Sequence, residues 1–252
     1  MEAAIVITAR LGSSRLPRKV LTPLRGRPAL DRLVERLRTA RLPERIVLAT
    51  TTEPEDDALE SIAGALGVDV FRGDPDDILV RWRDAARALD IELLVTCDGD
   101  DTFCDPVHVD RVVERWRETG ADYIACVGLP FGAAPTGIAR AGLERVCELK
   151  QETHTEGQGR FFEDESIVKR AEVQAPESVR NDEVRMTLDY PDDTRFFEAV
   201  IAELEEDGRV FSLEEIVALL RRRPDIVAIN SHLQAEYWAR FRERYPAVEL
   251  GS

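Results

Sequence analysis

"AAIVITARLGSSRLPRKVL", residues 3–21, decides how the chain is read. It opens on an apolar run with no polar alternation. Arg10, Arg15, Arg18 and Lys19 then follow with no acid among them. The run predicts a short buried strand, and the remainder a basic loop at that strand's carboxyl end. Similar runs recur at 45–51 ("RIVLATT"), 68–73, 91–97 and 121–127. Between them lie stretches of helical spacing at 28–41, 54–67, 75–89 and 105–120. The first places Leu30, Leu33, Val34 and Leu37 on one face, with Pro28 at its first turn. Strands that lack a polar face and alternate with helices predict an α/β fold: a mixed, mostly parallel sheet with helices on both faces. In such sheets ligands bind outside the carboxyl ends of the strands, which is where the basic loop lies.

Beyond residue 128 the alternation loosens. Residues 136–150 predict a strand and then a helix. Residues 151–165 ("QETHTEGQGRFFEDE") are polar and read as a mobile loop or lid. Strands are predicted at 167–175, 184–189 and 225–230. Helices are predicted at 191–207, 212–224 and 232–245, the second opening on a Ser-x-x-Glu capping box. The whole chain, 1–252, reads as one domain with a lid or dimerisation insertion around 130–180.

The chain has 252 residues and a net charge of -15. Residues 3–30 hold six basic side chains and no acid, so the rest of the chain is more acidic still. Such a surface repels nucleic acid and favours a small, highly charged anion at one place. No apolar stretch approaches the roughly 20 residues that span a bilayer, and the expectation is a cytoplasmic protein without membrane contact. Cys97, Cys104, Cys126 and Cys147 form no CxxC pair and read as reduced core thiols.

Gly12, Ser13 and Ser14, set between Arg10 and Arg15, offer backbone N–H groups, small hydroxyls and flanking guanidinium forks, which is a phosphate cradle. The spacing is neither that of a P-loop nor that of a dinucleotide fingerprint. "VTCDGDDTFCDP" (95–106) follows the fourth strand and crowds Asp98, Asp100, Asp101 and Asp105 together. Each close carboxylate pair costs roughly 1 kcal/mol near a surface. A divalent cation relieves that, and the oxygen-rich, sulfur-poor setting suits Mg²⁺. Asp105, just before Pro106, reads as a helix cap. In "RMTLDYPDD" (185–193) Pro191 starts a helix and Tyr190 takes the cap position, which leaves Asp189 free as a candidate ligand. His108 and His232 sit near helix starts and read as structural or exposed.

"ITARLGSSRLPRKVLTPLRGRPAL" (7–30) resembles the opening of the cytidylyltransferases that activate sugars as CMP derivatives. These include the acylneuraminate and 3-deoxy-manno-octulosonate enzymes, and the likeness is nearest to the spore-coat polysaccharide branch. Ala9, Arg10, Gly12, Ser13, Arg15, Leu16, Pro17 and Lys19 carry the match, followed by Pro23, Leu24, Gly26, Arg27 and Pro28. Arg18 stands where the spore-coat branch usually has glycine. The likeness continues through "VLATTTEPEDDAL", "GVDVFRGDPDDILVR", "CDGDDTFCDP" and "RMTLDYPDD".

The resemblance implies a Rossmann-like nucleotide-diphospho-sugar transferase (GT-A-type) fold and a Mg²⁺-dependent transfer of CMP from CTP to an acidic sugar, with release of pyrophosphate. It implies a catalytic set of Arg10, Arg15, Lys19, Asp100 and Asp189, with Asp100 and Asp189 on the metal. Ala9, Arg10, Leu11, Gly12, Ser13, Arg15 and Lys19 would hold the nucleotide, with Thr50, Arg72, Asp77 and Asp98 bordering it. His154, Arg160 and Arg185 would face a small acidic acceptor. A homodimer is common in the family, and the tail "EYWARFRERY" suits an interface or a core equally. Two other enzymatic readings stay open: a glycosyltransferase of the same superfold, and a cytidylyltransferase for a phosphate or phosphonate acceptor. A non-catalytic nucleotide sensor would not need both aspartates.

Overall fold

The computed structural model describes residues 2–13, 15–206, 209–248 and 250. Ser14 of the basic loop and Asp207, the last residue of the helix expected at 191–207, lie outside the described residues. Among the described residues nine strands run in chain order: β1 (Ala3–Thr8), β2 (Pro23–Leu24), β3 (Arg27–Pro28), β4 (Arg45–Thr51), β5 (Asp69–Gly73), β6 (Leu93–Asp98), β7 (Tyr123–Val127), β8 (Thr136–Ala139) and β9 (Arg170–Gln174). β2 and β3 form a two-residue hairpin. The other seven form one sheet in the order β5-β4-β1-β6-β8-β7-β9. The four strands from β5 to β6 are parallel, β8 runs antiparallel to β6 and β7, and β9 is parallel to β7. This is the mixed, mostly parallel sheet that the alternation predicts.

The period-2 geometry of β1 builds both faces. Ala3, Ile5 and Ile7 pack with Leu33 and Leu37 of α1 (Ala29–Leu37), Leu59 of α2 (Asp57–Leu66), and Val109 and Val113 of α4 (Pro106–Thr119). Ala4 and Val6 pack on the opposite side with Leu79 and Trp82 of α3 (Ile78–Ala88), and Leu143 and Val146 of α5 (Arg140–Leu149). A third cluster joins Phe103, Met186 and Leu188 to α6 (Pro191–Leu204), α7 (Leu213–Arg222) and α8 (Pro224–Val227). Phe196 and Phe197 at its centre are fully buried, each contributing about 1.5–3 kcal/mol of burial. This cluster seats the strand-end loops that carry Asp100 and Asp189. The chain continues into α9 (His232–Arg244).

Three expectations are corrected. Residues 184–189 are extended but form no sheet strand. A single bridge joins Phe131 to Arg185, and the neighbouring amides bond to loops: Met186 to the Phe131 carbonyl at 2.6 Å and Leu188 to the Asp100 carbonyl at 3.0 Å. Residues 225–230 are not a strand, because Pro224 and Asp225 start the single turn of α8. The first helix spans Ala29–Leu37 rather than 28–41, with Pro28 as its cap.

Candidate active site

Gly99 makes the site possible. It lies in the turn after β6, and its amide donates to the Thr8 carbonyl at 2.8 Å. A Cβ there would lie 3.0 Å from both the Ala9 Cβ and the Val20 Cγ1. Without that side chain, the turn bearing Asp98, Asp100 and Asp101 packs directly under the basic loop. The loop turns at Arg18, whose φ of 56° lies in the left-handed region, where glycine is the least strained residue.

The second carboxylate arrives from the other direction. Asp189 ends the extended segment that the Leu188–Asp100 hydrogen bond ties to the same turn. Asp193, in the first turn of α6, accepts from the Asp189 and Tyr190 amides at 2.9 Å each. It also accepts from Arg185 Nε at 2.9 Å and from Asn230 Nδ2 at 2.9 Å. Arg185 Nη2 then donates to Asp189 Oδ2 at 2.8 Å. Asp193, Arg185 and Asn230 thereby hold Asp189 from behind.

The two aspartates meet at Lys19. Its Nζ donates to Asp100 Oδ2 and, at 2.9 Å, to Asp189 Oδ1. Arg15 Nη2 reaches the same Asp189 oxygen at 2.6 Å. Burial works against the charge on Lys19, but Asp100 and Asp189 more than reverse it and raise its pKa. Burial likewise opposes charge on Asp189, and Lys19 and Arg15 hold its carboxyl below the usual range. Asp98 is paired with no cation among the described residues: burial first, then Asp100, push it up to about 7 against the pull of Lys19. Burial, Asp100 and Asp98 raise Asp101 well above its ordinary value.

These groups line a cavity of about 630 Å³. Of the residues expected at the nucleotide or metal, Ala9, Arg10, Gly12, Ser13, Arg15, Lys19, Asp98, Asp100 and Asp189 border it. The others are placed elsewhere. Leu11 is buried, its amide donating to Asp56 at 2.7 Å. Thr50 is buried in β4. Arg72 donates to the Thr51 and Glu53 carbonyls at 2.9 and 3.0 Å. Asp77 caps α3 and pairs with Lys150. His154 is exposed, 3.6 Å from Asp76. Arg160 pairs with Glu152 at 2.5 Å and donates to the Pro246 carbonyl at 3.1 Å. Phe161 and Phe162 are buried, and Phe162 stacks on Tyr123 at 5.0 Å, anchoring the 151–165 loop to the sheet. His108 is buried with its Nδ1 on Asp105, which caps α4.

Much of the opposite wall is new to the sequence reading. Tyr237, Arg240 and Phe241 of α9, with Tyr245 beyond it and Glu156 and Gly157 of the 151–165 loop, border the cavity. Tyr237 lies 5.8 Å from the Arg15 guanidinium and 5.0 Å from that of Arg185. Tyr237, Phe241 and Tyr245 of the tail thus form part of the cavity wall. Glu156 is ion-paired with Arg10, hydrogen-bonded by the Tyr245 hydroxyl, and 3.6 Å from Arg244. Burial raises its pKa, but Tyr245, Arg10 and Arg244 more than reverse that, and it stays charged.

The sequence model of the family described as Cytidylyltransferase matches residues 4–207. The chain belongs to the cytidylyltransferase family. It is therefore an enzyme, a nucleotidyltransferase, on a Rossmann-like fold. The spore coat polysaccharide biosynthesis protein SpsF of Bacillus subtilis is 29% identical over 87% of this chain and 94% of its own. The 3-deoxy-manno-octulosonate cytidylyltransferase of Chlorobaculum tepidum is 27% identical over 98% of this chain and 100% of its own. A solved cytidylyltransferase structure from Leptospira borgpetersenii serovar Hardjo-bovis superposes with a TM-score of 0.81 at 25% identity, covering 90% of this chain and 97% of that one. The cytidylyltransferase match ends before α9, so the tail wall of the cavity lies outside the matched region.

Among the described residues no three acidic, cysteine or histidine side chains are grouped as a ready metal cage. The donors still fit a hard divalent cation. Asp100 and Asp189 meet at one point, all donors are oxygen, and the raised Asp98 and Asp101 mark a surplus of carboxylate over cation. Mg²⁺ suits such a site because it takes one or two carboxylates and leaves its other positions to phosphate oxygens and water.

Proposed function

We propose that this cytidylyltransferase transfers CMP from CTP to an acidic sugar of the octulosonic or nonulosonic type and releases pyrophosphate. The observation that carries the reading is the meeting of Asp100 and Asp189 at Lys19, inside a cavity that Arg10 and Arg15 border. The acceptor class follows the octulosonate named for the relative that aligns over its full length.

Arg10, Arg15 and Lys19 would bind the triphosphate and stabilise the charge that builds on departing pyrophosphate. The acceptor oxygen forms its bond to the α-phosphorus in line with the pyrophosphate oxygen that leaves, so the protein's task is positioning and charge neutralisation. Asp100 and Asp189 would hold Mg²⁺. When bound, that ion supplies Lewis-acid neutralisation of the phosphoryl oxygens. Lys19, released from the two aspartates, would turn its ammonium to the phosphates. Arg185, Asp193 and Asn230 keep Asp189 in place throughout.

A thermal-shift and pyrophosphate-release assay tests this. CTP with Mg²⁺ should stabilise the protein by about 2.7 kcal/mol at a hundredfold excess over its Kd, and ATP, GTP and UTP by clearly less. Adding an octulosonic or nonulosonic acid should start pyrophosphate release. Equal shifts from all four nucleotides, or release with none of the acids, would reject the reading.

A further inference from the structure

Lys19 and Arg185 are each matched by an acid that has another task. Asp100 and Asp189 face Lys19, and Asp193 braces Arg185. Glu156 is different. It lies in an irregular segment, and both its oxygens are held by side chains from separate elements. Oε1 pairs with Arg10 of the basic loop, and Oε2 takes the Tyr245 hydroxyl, with Arg244 at 3.6 Å. Arg10 has no other ion-pair partner among the described residues. Gly157 fixes the arrangement: its φ is 72°, and a Cβ there would lie 2.9 Å from the Phe241 Cζ, so only a residue without a side chain lets the loop lie against α9.

Two guanidinium groups and a phenol converging on one carboxylate, at the edge of a substrate cavity, form a recognition site for an oxyanion. We infer that Glu156 is an internal stand-in for a substrate oxyanion. It neutralises Arg10 in the free enzyme, and the incoming anion displaces it from the subsite made by Arg10, Arg244 and Tyr245. A ligand must match what it displaces, so the latch lowers apparent affinity by the worth of the pair it breaks. The oxyanion is either the polyphosphate tail of the nucleotide or the carboxylate of the acceptor. The inference rests on the proposed cytidylyl transfer only for which of these applies.

Isothermal titration of wild type and Glu156→Gln with three probes, CTP, inorganic pyrophosphate and gluconate, tests it. Glutamine keeps the shape and removes the charge. The variant should bind the displacing anion about tenfold tighter, the scale of one charge-assisted hydrogen bond. Tightening of CTP and pyrophosphate assigns the subsite to the polyphosphate, and tightening of gluconate alone assigns it to the acceptor. Pyrophosphate needs no base recognition. A response to it in a protein whose wild type ignores CTP therefore upholds the latch while rejecting the nucleotide reading. Unchanged or weaker binding of all three probes by Glu156→Gln overturns the inference and makes Glu156 an ordinary binding group.

Discussion

Asp189→Asn should reduce kcat/KM for cytidylyl transfer by about 10³-fold or more, because it removes one of the two carboxylates that would hold the cation neutralising charge at the reacting phosphate. It should also destabilise the fold. Asp189 is 2% exposed and accepts from Lys19, Arg15 and Arg185. An amide there leaves Lys19 and Arg185 short of a buried counter-charge, and breaking buried pairs of this kind costs about 3–5 kcal/mol. Arg15 adds little to that figure, since its side chain is 39% exposed. Urea unfolding and circular dichroism separate the two effects. Activity within tenfold of wild type, measured where the variant is fully folded, would remove Asp189 from the reaction.

Lys19→Met carries the second large effect. Methionine fills the space of the stem but leaves Asp100 and Asp189 facing each other without the ammonium that joins them. One carboxyl would then take up a proton or draw in a cation. The phosphates would also lose their most buried positive contact. A loss of about 10²–10³ in kcat is expected, the scale of removing one preorganised donor to developing charge. The KM for CTP should rise as well, since Lys19 would contact the triphosphate before and during reaction. An unchanged KM with a lowered kcat would confine Lys19 to the transition state. No change in either would leave it a structural bridge.

The sheet and the first half of the site were legible because each rests on a local signal. Unbroken apolar strands between amphipathic helices leave few topologies. An acid-free run of cations at a strand's end stands out in an acidic chain and marks a place for an anion. Asp189 stood out because Pro191 shifts the cap to Tyr190. The remaining wall was illegible for a physical reason. Tyr237, Phe241 and Tyr245 have the spacing of any amphipathic helix, and sequence cannot tell a core, an interface and a cavity wall apart. Glu156 is one acid among 49 acidic residues, and only the fold brings Arg10 to it. Asp77 and Arg160, named through resemblance, serve a helix cap and a loop clasp in the structure. Residues 184–189 have strand composition, yet their amides serve the loops at the sheet edge, which no propensity reveals.

The proposed reaction requires Asp100 and Asp189 to share one divalent cation beside the triphosphate. Anomalous diffraction from crystals grown with CTP and Mn²⁺ measures this directly. The expected result is a manganese peak coordinated by both carboxylates and by phosphate oxygens, with Lys19 moved off the aspartates onto the phosphates. A peak that touches neither aspartate, with Lys19 still bridging them, would contradict it.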